Sequence, residues 1–214
     1  KWGMPNTVVT NNDPKYIGRL THFFDVIVAD LQCSGEGMFR KDPDSRNEWS
    51  IDNVQLCANR QRRIIYDVWN ALKPGGLLIY STCTFNREEN EENIQYLADT
   101  LNAEILPIHL RNEWQVHHAV QSDIPAYRFL PHLTKGEGFF LAILRKPEGE
   151  EQRISSKSKK KEWLKTPPVP VEVKKWITEH EGYPFTVLPN GSLPAIPVDY
   201  VEGYQIIKET IHVI

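Results

Sequence analysis

Short apolar runs alternate along this chain with stretches whose apolar residues recur every three or four positions. Thr7-Val8-Val9-Thr10 is β-branched and predicts a short strand, closed by the turn cluster Asn11-Asn12-Asp13-Pro14. Tyr16 to His22 reads as a short helix or loop. Phe24-Asp25-Val26-Ile27-Val28-Ala29 is a nearly continuous apolar run, the pattern of a strand buried on both faces. A helix is expected to start at Ser50 or Asp52, either of which can cap. Its apolar stripe runs through Val54, Cys57, Ile64, Ile65, Val68 and Leu72, and Gln61 interrupts it. Lys73-Pro74-Gly75-Gly76 is the expected stop, and the strand Leu77–Tyr80 follows at once.

Asn90 to Leu101 carries Ile94, Leu97 and Leu101 on one side of a second helix. Ala103 to Ile108 is a weaker strand, and Gly138 to Leu144 a further buried one. The composition then changes. Glu148 to Lys165 is polar, with Lys157, Lys159, Lys160 and Lys161 close together, which predicts a solvated linker. Beyond it, Val171–Glu181 reads as a helix. Asn190-Gly191, between Phe185–Leu188 and Leu193–Ile196, is a hairpin signal. The expected organisation is therefore a domain over 1–147, a linker over 148–165 and a small α+β extension over 166–214.

Strands alternating with helices predict an α/β domain built on a parallel sheet. The strands ending at Asp30 and at Tyr80 are separated by one helix, so the simplest topology makes them neighbours with their carboxyl ends on one edge. Ligands of open α/β sheets bind at that edge. Asp30-Leu31-Gln32-Cys33-Ser34-Gly35 follows the first strand and Ser81-Thr82-Cys83-Thr84 the second. Cys33, Cys83 and Asp30 are thus expected in one crevice.

The totals narrow the classes. A length of 214 residues, 40% hydrophobic and 25% charged, suits a globular protein with one domain and an appendage. A formal net charge of -3 provides no global field for nucleic acid, so any such binding rests on local patches. Three cysteines without a CxxC pair match neither a disulfide framework nor a zinc site, and fit the reducing cytoplasm. The seven histidines, His117-His118 included, show no metal-ligand spacing. No apolar stretch approaches membrane-spanning length.

Two facing thiols beside a carboxylate suit a two-step covalent reaction. One such reaction is alkylation at carbon 5 of cytosine, a carbon too poor a nucleophile to attack a methyl donor directly. Addition of a thiolate to carbon 6 creates an enamine whose carbon 5 can attack. A carboxyl group near ring nitrogen 3 stabilises that adduct, and a second group must assist its release. The plainer reading makes each cysteine a small hydrophobe. It suits Cys57, on a helix stripe, better than Cys33 and Cys83, which lie beyond their strands among polar residues.

Asp30 through Pro43 resembles the fourth motif of the Nop/Sun-type RNA cytosine-5 methyltransferases. Leu77 through Thr84, with the acidic stretch Glu88 to Glu92, resembles their sixth. Arg128-Phe129-Leu130-Pro131-His132 and Gly138-Phe139-Phe140 resemble their late motif, and the match covers roughly the first two-thirds of the chain. The resemblance implies a Rossmann-like methyltransferase sheet, a ribosomal-RNA substrate and S-adenosylmethionine as cofactor. It implies that Cys83 is the nucleophile, that Cys33 helps release the product, and that Asp30 holds the target cytosine beside the methyl donor. Asp13 matches the acidic residue near the adenine of S-adenosylmethionine. Arg40 and Lys41, on the loop after Cys33, are placed for phosphate contacts.

Two features depart from the family pattern. Gln32 stands where the family has proline, which removes a fixed φ before the cysteine. The glycine-rich turn that wraps the methionine part of the cofactor has no counterpart before Thr7. The expected sheet is accordingly partial, lacking its first strands. Its open edge beside the strand ending at Asp30 predicts self-association. Two other classes remain open on the sequence: a non-catalytic RNA-binding fragment, and a thiol redox protein with a reversible Cys33–Cys83 disulfide.

Overall fold

The computed structural model describes residues 7–150, 171–176, 182–185, 193 and 195–211. The chain divides into two compact units, one made of Lys1–Leu20 with Ile154–Ile214, the other of Thr21–Arg153. Residues 1–20 fall with the C-terminal unit in this division, whereas the sequence pattern joins them to the catalytic sheet. The predicted linker lies almost wholly outside the described residues.

The larger unit is a six-stranded mixed sheet. Its strands are β1 (Phe24–Asp30), β2 (Leu72–Thr82), β3 (Glu104–Leu106), β4 (His117–His118), β5 (Ala126–Phe129) and β6 (Phe139–Arg145). The order is β1-β2-β6-β5-β4, with β3 also paired to β6. Only β1 and β2 are parallel; every pairing that involves β3, β4, β5 or β6 is antiparallel. The expected all-parallel sheet is therefore corrected to a mixed one. A parallel pair needs a crossover, and one long helical pattern separates β1 from β2; no such segment lies between β5 and β6.

Helix α3 (Ile51–Trp69) provides that crossover, following the short helices α1 (Pro14–Ile17) and α2 (Ser45–Glu48). Ser50 caps α3, its hydroxyl accepting from Asn53 N at 3.1 Å. Val54, Cys57, Ile65 and Val68 are buried on one face. The helix stops at Trp69, before the predicted glycine-proline signal, and Leu72 already belongs to β2. The Lys73–Gly76 segment is a bulge inside β2. Phe24 pairs with Leu72 and Val26 with Leu77, so the extra residues loop out while the register recovers. Lys73 Nζ closes the bulge on Asp25 Oδ1 at 2.6 Å.

Helix α4 (Glu91–Leu101) buries Ile94, Leu97 and Ala98 against the sheet. The core joins them to Ile65, Leu72, Leu78, Tyr80, Phe140, Ala142 and Leu144. At a typical 2–5 kcal/mol per truncated Leu or Ile, such a core dominates the stability of the unit. Strand β1 departs from its sequence pattern. It ends the strand order, and Val26 and Val28 are 47% and 67% exposed rather than buried on both faces. Strands β4 and β5 were not foreseen: β4 is two residues long, and β5 lies within the Arg128-containing motif.

In the smaller unit the predicted strand at Thr7–Thr10 reduces to a single bridge residue, Thr10. Pro14 instead opens α1, where its missing N–H is not needed. The unit also holds α5 (Val171–Lys174), an antiparallel bridge between Phe185 and Ala195, and α6 (Val201–Thr210). The Asn190-Gly191 hairpin signal lies outside the described residues. The apolar run from Ile206 begins inside α6, where Ile206 and Tyr204 are buried.

Candidate active site

The parallel register builds the site. Asp30 pairs with Ser81, so the loops leaving β1 and β2 start side by side. Leu31 N donates to Ser81 O at 3.0 Å, which extends the pairing one residue beyond the strand. Three residues past Asp30 and two past Ser81, Cys33 Sγ and Cys83 Sγ stand 3.2 Å apart. Both thiols are free and half-buried. Their separation is well beyond the 2.03–2.05 Å of a disulfide and suits a hydrogen bond.

Cys83 is immobilised on both sides. The Thr82 hydroxyl donates to Asn90 Oδ1 at 2.6 Å, and Asn90 Nδ2 donates to Thr84 O at 3.0 Å. Gly37 N donates to the Cys83 carbonyl at 2.9 Å. A Cβ at position 37 would sit 2.6 Å from that carbonyl oxygen, so the close approach requires glycine. Just before it, Gly35 adopts φ +75 and starts the 3-10 turn Glu36–Arg40.

The two thiols share their protons unequally. The hydrogen bond from Cys33 pulls Cys83 down to about 7, against burial and the nearby Asp30 charge, which push it up. The same contact with Cys83, reinforced by burial, pushes Cys33 far above the usual thiol range. Of the two, Cys83 is therefore the more readily ionised and Cys33 the thiol that holds its proton. Asp30 lies beside this pair and accepts from the Ser81 hydroxyl at 3.0 Å.

A polar network that the sequence pattern did not reveal surrounds the thiols. Glu89 is fully buried. Its carboxylate accepts from Ser34 N (3.1 and 3.2 Å), Gln61 Nε2 (2.7 Å) and Asn86 Nδ2 (2.8 Å). Gln61 also donates to Gln32 O at 3.1 Å. It is the one polar interruption of the α3 stripe, and that interruption was the available signal. Glu36 accepts from Phe85 N at 2.7 Å and Trp49 Nε1 at 3.0 Å. Gln32, in the place of the family proline, is tied by its side chain to Arg60 NH1 at 2.9 Å.

The remaining predicted residues are placed as follows. Arg40 donates to Gly136 O at 2.9 Å and Lys41 pairs with Glu137 at 3.4 Å, so both basic residues are exposed but tethered to one turn. Arg128 of the late motif forms a buried ion pair with Glu91 of the acidic stretch and donates to Phe85 O at 2.7 Å. These contacts join β5 to α4 and to the loop after Cys83. Cys57 is buried in the α3 stripe, as a core residue. Asp13 belongs to the smaller unit, where its carboxylate caps α1 by accepting from Lys15 N at 3.1 Å. Among the described residues no group of His, Cys, Asp or Glu is arranged to hold a metal ion.

The chain is similar to known methyltransferases. A family model described as 16S rRNA methyltransferase RsmB/F matches residues 1–145. The chain is 37% identical over 145 residues to a ribosomal RNA small subunit methyltransferase F of Vibrio cholerae, covering 67% of this chain and 31% of the relative. It is 40% identical over 152 residues to one from Escherichia coli O9:H4, covering 68% and 31%. The chain thus spans about a third of the length of these curated relatives. Among solved structures, NSun6 from Pyrococcus horikoshii with SFG aligns at a TM-score of 0.56 and 27% identity, over 65% of this chain and 34% of that one. A methyltransferase homologue from the same organism aligns at 0.53 and 31% identity, over 63% and 43%.

Proposed function

Because the chain belongs to the 16S rRNA methyltransferase RsmB/F family, matched over residues 1–145, we propose that its parent protein methylates carbon 5 of a cytosine in ribosomal RNA. The observation that carries this reading is the 3.2 Å contact between Cys33 Sγ and Cys83 Sγ, with Asp30 alongside.

S-adenosylmethionine supplies the methyl group when bound, and a neighbour solved with the analogue SFG supports that choice of cofactor. Asp30 is exposed at the carboxyl end of β1 and offers an acceptor where base and cofactor would meet. Every other task falls to the chain's own residues.

Cys83 is the more readily ionised thiol, and as the thiolate its Sγ adds to carbon 6 of the extruded base. The electron pair of the 5,6 double bond is thereby pushed toward nitrogen 3, where the Asp30 carboxyl group acts as general acid or hydrogen-bond partner. Carbon 5 then has the nucleophilicity to take the methyl group. Once Cys83 is bonded to carbon it no longer bears the charge that holds the Cys33 proton. Cys33 can then lose that proton to solvent and accept the one leaving carbon 5. Departure of the Cys83 thiolate restores the aromatic ring and the resting pair, with one proton released overall.

Arg40 and Lys41 contact RNA phosphates in this reading, and the target base is unpaired or flipped out. A cytoplasmic location and self-association through the edge of β1 complete this reading. Nucleoside mass spectrometry of ribosomal RNA treated with the parent protein should find 5-methylcytidine. Methylation confined to an exocyclic nitrogen or a ribose hydroxyl would exclude the carbon-5 reading.

A further inference from the structure

Burying an unpaired carboxylate is costly unless its oxygens are fully hydrogen-bonded. Glu89 is fully buried, and each of its side-chain partners is a neutral donor. Those donors cannot turn away. Gln61 Oε1 accepts from Asn93 Nδ2 at 2.8 Å, which directs Nε2 at Glu89 and at Gln32 O. Asn86 Oδ1 accepts from Glu89 N at 2.9 Å, which directs Nδ2 at the carboxylate and at Ser34 Oγ. The position therefore demands a group that only accepts, and among side chains that is a carboxylate.

The partners are placed where the thiol geometry is decided. Ser34 N follows Cys33 directly, and Gln32 O, held through Gln61, precedes it. Asn86 belongs to the loop that carries Cys83. We propose that Glu89 is a positioning residue of the two-thiol site: it holds both flanks of Cys33 and keeps that thiol in donor contact with Cys83 Sγ. The inference rests on the reading of Cys83 as the nucleophile and adds a residue that touches neither substrate nor cofactor.

Two consequences of Glu89 oppose each other, and that makes the proposal testable. Its geometry preserves the Cys33 hydrogen bond, the largest influence lowering Cys83. Its charge, through space, raises Cys83 slightly. Glu89→Gln removes the charge and turns an NH2 toward either Gln61 or Asn86, donor against donor, which opens the clamp. A purely electrostatic neighbour would then let Cys83 ionise more readily, and a purely structural residue would leave the folded site unchanged.

The test is the pH dependence of iodoacetamide alkylation of Cys83, read on its peptide by mass spectrometry in the 214-residue chain. The parent inflection is expected at about 7. Glu89→Gln should move it up toward the ordinary thiol value of about 8.5 and slow alkylation at neutral pH several-fold. Combined with Cys33→Ala, which itself removes the donor, Glu89→Gln should give no further upward movement. Glu89→Asp keeps the charge but shortens the reach by one methylene, so its inflection should fall between the two. It carries the test if the amide variant fails to fold, as circular dichroism would report. An unchanged or lowered inflection in the folded variants overturns the proposal. The assay contains neither RNA nor cofactor, so that result leaves the proposed reaction standing. Absence of 5-methylcytidine alongside a raised inflection would instead remove the reaction and keep the clamp.

Discussion

Cys83 owes its lowered pKa to one neighbour and its position to several. The Cys33 hydrogen bond lowers its pKa to about 7, so the reactive thiolate is populated above that pH and lost as the pH falls through it. Position is set by Gly37, whose N–H holds the Cys83 carbonyl and whose missing side chain leaves room for it. Gly37→Ala forces a shift of the Cys83 backbone or of the turn facing it, where Glu137 O lies 3.0 Å from the added carbon. We expect about 1–3 kcal/mol of destabilisation and, from a displacement approaching 1 Å, a loss of methyl transfer up to about a hundredfold. Thermal unfolding and single-turnover methylation check these together; parent-like values in both would show that the contact is dispensable. At this scale the two cysteines and Asp30 were legible because they end apolar runs. Glu89 and Asn86 were not, because nothing local separates the buried acceptor Glu89 from the exposed Glu92 of the same acidic stretch.

At the scale of elements, β1, α3 and β2 form the unit that makes the site. Apolar periodicity predicts all three, and one intervening helix predicts their parallel pairing. The pattern misleads where chain geometry overrides it. Lys73-Pro74-Gly75-Gly76 resembles a helix stop, yet the β1–β2 register absorbs it as a bulge, with Lys73 bonded across to Asp25. The antiparallel return of β6 was illegible because a short apolar run carries no direction. Strand β1 reads as buried on both faces because Val26, Ile27 and Val28 are all apolar, but Val26 and Val28 face outward at the end of the strand order. An exposed apolar edge recruits another strand. Sedimentation velocity should therefore show the chain associating with concentration and a Val28→Lys variant doing so less. Identical behaviour of the two would remove β1 from the interface.

For the whole molecule, the site lies in one unit and is held by residues spread along most of it. Cys33 follows β1, Cys83 follows β2, Gln61 comes from α3, and Arg128 from β5 holds the loop after Cys83 through Phe85 O and α4 through Glu91. The order of the motifs foretold which segments converge. Their convergence depends on the Asp30–Ser81 register, which only the folded sheet establishes. In the proposed reaction the two thiols have unequal roles, with Cys83 forming the bond to the base and Cys33 needed to break it. The most direct measurement is denaturing electrophoresis of the intact parent protein after incubation with ribosomal RNA and S-adenosylmethionine. Cys33→Ala should accumulate a covalent RNA–protein adduct, and Cys83→Ala should form none. Equal adduct from both variants, or adduct only from Cys83→Ala, would contradict the account.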